Sequence, residues 1–319
     1  MMKATIAVLV VLAAWRAAPL ALAHDVEKPP PLTPAQLEEI DRIFKTPTRI
    51  GYWQDGSPVD PNDAAAFIDF LSRASGHEGP PTNLYKSVAV APAHFAPAIR
   101  EAFRHVPPTL EAYIEDSERP FGERREYYWP LKLVPYLGRE LAEPILRKFA
   151  DAILPLALEA RRRFFEVDKA YWATWEAAGR PVGDAWRREP NAAPVVEEWE
   201  VTAKASTALA TVWGGAVRVA GELGSPIFVD DGVAMLVEDD PILHHWGVWM
   251  AGYMVKFANE RPEGVAALRA EAARLRRSED LDDQLSAVSI EIALDPARDA
   301  NTDPELRRLK DQIKIKRQR

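Results

Sequence analysis

Between residues 194 and 223 one side of the chain stays apolar or small for seven turns. Val195, Trp199, Thr202, Ser206, Leu209, Trp213, Val217 and Ala220 recur at helical spacing. Inside that stretch the 13 residues 205–217 carry no formal charge. A bilayer crossing takes about 20 apolar residues, so this helix has to be covered by other protein. Ala203, Ala210 and Gly214 are small enough to let a second helix approach closely. A chain organised around such an element is expected to be all-α, a single, mainly helical, bundle-like domain.

The rest of the chain agrees with that expectation. Thr33-Pro34-Ala35-Gln36 reads as a capping box with proline in the first helical turn, and Asp60-Pro61-Asn62-Asp63 repeats the device. Helices are expected at 93–106 and 109–116, separated by Pro107-Pro108. Residues 139–178 are helical in pattern, with Pro144 and Pro155 expected to break or kink them and Ile145, Phe149 and Ile153 forming a stripe. Further helices are expected at 241–259, 262–277, 281–294 and 304–316. One segment departs from the pattern. Ile227-Phe228-Val229 and Met235-Leu236-Val237 flank Asp230-Asp231-Gly232, which predicts a short β-hairpin near 226–237 or an ordered loop.

Residues 1–23 begin with Lys3, continue through an apolar run of 11 residues and end in Ala21-Leu22-Ala23. These are the three parts of a secretory signal peptide, so the protein is expected to be exported, periplasmic or secreted, with no transmembrane span after cleavage. Residues 24–32 form a proline-rich lead, 33–294 the helical domain, and 295–319 a basic C-terminal helix or tail. That tail holds 8 basic and 5 acidic residues, with Leu306, Leu309 and Ile313 as an apolar stripe for packing back on the body.

Composition excludes several kinds of chemistry. There is no cysteine, which removes disulfides, thiolate nucleophiles, Cys-ligated zinc and iron–sulfur clusters. A net charge of −8 argues against nucleic acid as a partner. HExxH, Walker and GxSxG patterns are absent too.

What remains is a polar cluster entering an apolar helix, Glu238-Asp239-Asp240-Pro241 followed by His244-His245-Trp246. Acids before a proline suit a helix start, whose free N–H groups and dipole favour them. Adjacent helical residues point about 100° apart. His244 therefore shares its side with Val248, Ala251 and Val255, and His245 shares the more open side with Trp249, Gly252 and Lys256. A pocket is expected where helix 241–259 meets helix 194–223. His244, His245, Asp239, Asp240 and Tyr253 are its candidate catalytic groups, and Trp213, Trp246 and Trp249 its candidate ligand-binding surface. Ten tryptophans offer flat surface for a small-molecule or carbohydrate-like ligand. The sequence thus supports an enzyme of unidentified reaction, a non-enzymatic binding or assembly protein of the cell envelope, or a metal- or haem-binding protein using His244 and His245.

Overall fold

The computed structural model describes residues 29–45, 63, 82–104, 106–119 and 128–318. The expected signal peptide, most of the lead and the helix expected behind 60–63 lie outside the described residues. Those described form thirteen α-helices in a single domain, with no strand among them.

The first helix, α1 (Pro34–Lys45), starts with the expected capping box. The Thr33 hydroxyl accepts from Gln36 N–H at 3.3 Å, and the Gln36 side chain accepts from Thr33 N–H at 2.9 Å. Short helices follow: α2 (Thr82–Val90), α3 (Pro92–Ala102), α4 (Leu110–Glu118, capped by Thr109) and α5 (Tyr128–Leu133), the last running into a 3₁₀ turn. Together they cover one end of two long helices, α6 (Arg139–Ala177) and α7 (Ala193–Glu222). Asp168 near the end of α6 meets Trp199 near the start of α7, and Arg147 near the start of α6 reaches Ile227 O just past the end of α7, so the two run antiparallel.

Pro144 and Pro155 do not interrupt α6, which runs unbroken for 39 residues. Each forgoes one backbone hydrogen bond, and both rings sit on the exposed side of the helix. The opposite side of α6 buries Leu146, Phe149 and Ile153 against Leu209 and Val217 of α7 and Phe95 and Ile99 of α3. Burial of each such side chain contributes about 2 kcal/mol. At the far end of the pair lies a separate aromatic cluster. Tyr171 stacks on Trp199 at 4.7 Å and meets Trp186 edge-on at 5.4 Å.

The expected hairpin near 226–237 is instead helix α8 (Val229–Leu236). Asp230 and Asp231 occupy its first turn, where the helix dipole favours acids. Gly232 is there for close packing rather than for a turn, because a Cβ on it would lie 2.9 Å from Met254 Sδ. The helix expected over 241–259 is also divided, into α9 (Pro241–Trp249) and α10 (Ala251–Val255). At the junction Tyr253 N–H bonds to Met250 O at 2.9 Å, an i+3 bond that tightens the turn.

Three helices close the domain: α11 (Pro262–Leu275), α12 (Leu281–Leu294) and α13 (Pro304–Gln318). The basic C-terminal helix packs back by its apolar stripe, Leu306 and Leu309 meeting Val288 of α12. Ion pairs fasten it further. Arg276 reaches Glu291 at 2.5 Å and Glu305 at 2.6 Å, and Arg298 reaches Asp303 at 2.8 Å.

Candidate functional site

Helix α9 begins where Asp240 caps it. One carboxylate oxygen accepts from Ile242 N–H at 2.8 Å and Leu243 N–H at 3.3 Å, and the other accepts from Arg162 at 2.5 Å. Partial burial works to raise the Asp240 pKa, but Arg162 and the two backbone donors outweigh it and hold the carboxyl below its ordinary range. Asp240 is therefore an ionised cap with its lone pairs in use. Asp239, beside it, is exposed.

The two histidines face different neighbours. His244 Nε2 donates to Glu271 of α11 across 2.6 Å, and Arg274 holds the same carboxylate at 2.6 and 2.9 Å. Burial would raise the Glu271 pKa, yet Arg274 and His244 overcome it and the carboxyl stays ionised below its ordinary value. Both partners on this side are fixed. Tyr253 is fixed as well: its hydroxyl donates to Ser225 O and accepts from Phe228 N–H at 3.3 Å, strapping the α7–α8 connection to α10. Burial pushes its pKa up to about 12, so it stays protonated and structural.

His245 opens instead onto a groove of about 760 Å³ between α7 and α9–α10. Trp213, Trp246, Trp249, Tyr253, Gly252 and Lys256 also border it. Trp213 and Trp246 are buried and stack at 4.9 Å with 22° between their planes, and Trp249 tilts against Trp213 at 6.0 Å. Trp249 is 54% exposed, an unusual state for so large an apolar ring. Its seat is a glycine, since a Cβ on Gly214 would come within 3.1 Å of Trp249 Cη2. Two turns on, Gly221 makes the same allowance for Tyr253, again at 3.1 Å. Glycines seven residues apart fall on one helix face, and here that face seats the groove's rings.

The electrostatics of the groove run opposite to those of the chain. Its charged border residues are Arg161, Arg218 and Lys256, and among the described residues no carboxylate lines it. Arg218 has a partner in Glu222 at 3.7 Å. Arg161 lies over Phe165 at 4.8 Å and Phe164 at 5.7 Å. Neither Arg161 nor Lys256 forms an ion pair among the described residues. Its neighbours in sequence differ: Arg162 pairs with Asp240, and Arg163 with Glu111 and Glu198. Burial, then Arg161, then His244 lower the His245 pKa from its ordinary value, so its ring is neutral at pH 7. Indole donors add to the unused polar capacity. Trp175 donates to Pro181 O at 3.1 Å and Trp199 to Asp168 at 2.8 Å, whereas Trp213 and Trp246 have no hydrogen-bond partner among the described residues.

Of the eight residues singled out from sequence, His245, Trp213, Trp246, Trp249 and Tyr253 border one groove. His244, Asp239 and Asp240 do not line it. Sequence reasoning missed Arg161 and Arg218 as members of the site. No local signal ties residue 161 to residue 245; the packing of α9 against α6, marked by the Arg162–Asp240 pair, brings them together. Among the described residues no group of three or more His, Cys, Asp or Glu side chains converges as a metal site. Comparison with protein-family models, curated proteins and solved structures gives no match, so the site is interpreted from its own chemistry.

Proposed function

We propose that this protein is an exported, non-enzymatic binding protein whose ligand is a small ring-bearing molecule seated on Trp249 in the α7/α9–α10 groove. The observation that carries this reading is Trp249 itself, half exposed, backed by the Trp213–Trp246 stack and seated on Gly214. An exposed indole in a concave site is a stacking surface for flat ligands. A binding role is favoured over catalysis by how the candidate acid–base groups are used. His244 is held by Glu271, Asp240 by Arg162 and its capping bonds, and Tyr253 by Ser225. That leaves His245 without a second proton-transferring partner in the groove. Export rests on the signal-like pattern of residues 1–23.

The test uses protein recovered from outside the cytoplasm of its native cell, with an intact mass that should begin at His24. Its tryptophan fluorescence should change saturably, at one site per chain, as 2-naphthol or 2-naphthoate is added. Trp249→Ala should weaken binding about tenfold while the melting temperature stays within a few degrees. A mass that retains residues 1–23 would end the export half of the proposal. Absence of saturable binding by any naphthyl probe would end the other half.

A further inference from the structure

The direction of the groove fixes where each end falls. Trp249 rests at Gly214, and Tyr253 with Lys256 rests at Gly221. Helices α7 and α9–α10 therefore run in the same sense along it, and Gly214 and Gly221 stand about 10 Å apart along the axis. His245 lies one turn before Trp249, toward Thr207, and there Arg161 sits close enough to depress its basicity. One end of the groove thus holds Arg161 and the neutral His245 ring, the middle holds exposed Trp249, and the other end holds Lys256 with Arg218.

We infer that the ligand is an organic anion, a flat apolar body with a carboxylate-type acid group that meets Arg161 and His245 while the body stacks on Trp249. This rests on the binding role proposed above and adds the charge and orientation of the ligand. Three observations carry it. Among the described residues the groove is bordered by cations and no acid, in a chain whose net charge is −8. Most arginines of the domain are held by carboxylates, but Arg161 lies against the Phe164 and Phe165 rings and has no carboxylate partner among the described residues. A planar guanidinium presents paired donors that match a carboxylate. Finally, Trp213 and Trp246 border the groove and their indole N–H groups have no hydrogen-bond partner among the described residues, which leaves two donors without an acceptor. The Coulomb field of Lys256 and Arg218 at the far end favours the same sign of charge.

The test is a matched series titrated into the intact protein at low salt: 2-naphthoate, its neutral isostere 2-naphthamide, and the cation 2-naphthylmethylammonium. Naphthoate should bind about tenfold tighter than the amide, and the cation weakest. Arg161→Gln should weaken naphthoate more than naphthamide and so remove most of that preference, and Arg161→Lys should restore part of it. Arg161 has no ion-pair partner among the described residues to orphan, so the variant's melting temperature should fall by no more than a few degrees, the loss of its contacts with Phe164 and Phe165. Trp249→Ala should weaken acid and amide by the same factor. Equal binding of acid and amide would overturn the anion inference and leave the groove reading intact. Preference for the cation would overturn it outright, and no binding by any of the three would remove both.

Discussion

His244 and His245 are neighbours in the chain with opposite circumstances. On the His244 side, α9 packs closely on α8, and His244 reaches Glu271 of α11. Gly247 lies so near α8 that a Cβ would sit 2.8 Å from Leu236 N, and the His244–Glu271–Arg274 chain has every charge answered. On the His245 side, the same helix faces open space, a half-exposed tryptophan, and Arg161 and Lys256, neither of them ion-paired among the described residues. The first side has contacts that a substitution can only remove. The second holds donors and a ring face that are idle in the protein alone. One helix thus separates stability from binding, and substitutions on its two sides should have separable effects.

The largest expected effect is on the closed side. Gly247→Ala places a methyl against backbone atoms of Leu236 and Met235, at 2.8 and 3.0 Å, which no rotamer change can relieve. It should cost about 3 kcal/mol, read as a shift in the urea midpoint. Glu271→Ala comes next. It leaves His244 and Arg274 without their shared acceptor and should cost about 2 kcal/mol, or about 6 °C in melting temperature, with naphthyl affinity unchanged within about twofold. Glu271 has a depressed pKa when folded, so its contribution is present above its ordinary value of 4.5 and is lost as pH falls below it. The gap between parent and variant should therefore narrow in acid. A gap that stays constant down to strongly acid pH would show that Glu271 acts through packing alone, and a large loss of affinity would show that the two sides are coupled.

Much of this division was legible in the sequence, because a helix imposes a period. The 3.6-residue repeat alone places His244 with Val248 and Ala251 and His245 with Trp249, Gly252 and Lys256. Caps were legible for the same local reason, as at Thr33 and Asp240. What stayed hidden depends on contacts distant in sequence. Glu271 lies 27 residues beyond His244, and Arg162 pairs with Asp240 across 78. Neither pairing leaves a trace in local composition. Asp231-Gly232 misled for a different reason, since the dipeptide that favours a tight turn also suits a helix start with a glycine under a neighbouring methionine.

The smallest expected effect is the most specific test of the open side. The folded groove disfavours the protonated form of His245, because of burial first, then Arg161, then His244, with the charges of Lys256 and Arg218 bordering the same space. A histidine with a depressed folded pKa takes stability away as pH falls below its ordinary value of 6.5. A bound carboxylate would reverse the local sign, since an anion beside imidazole favours its protonation. Naphthoate binding should then be coupled to proton uptake and tighten about threefold between about pH 7.5 and 5.5, above the range in which the probe's own acid group titrates. His245→Gln should change affinity at pH 7.5 by less than about twofold and flatten the profile, and naphthamide should show no slope with either protein. A slope that survives in the Gln variant would assign the proton to another group and separate His245 from the anion site. A slope shared by the amide would mean that the groove itself changes with pH.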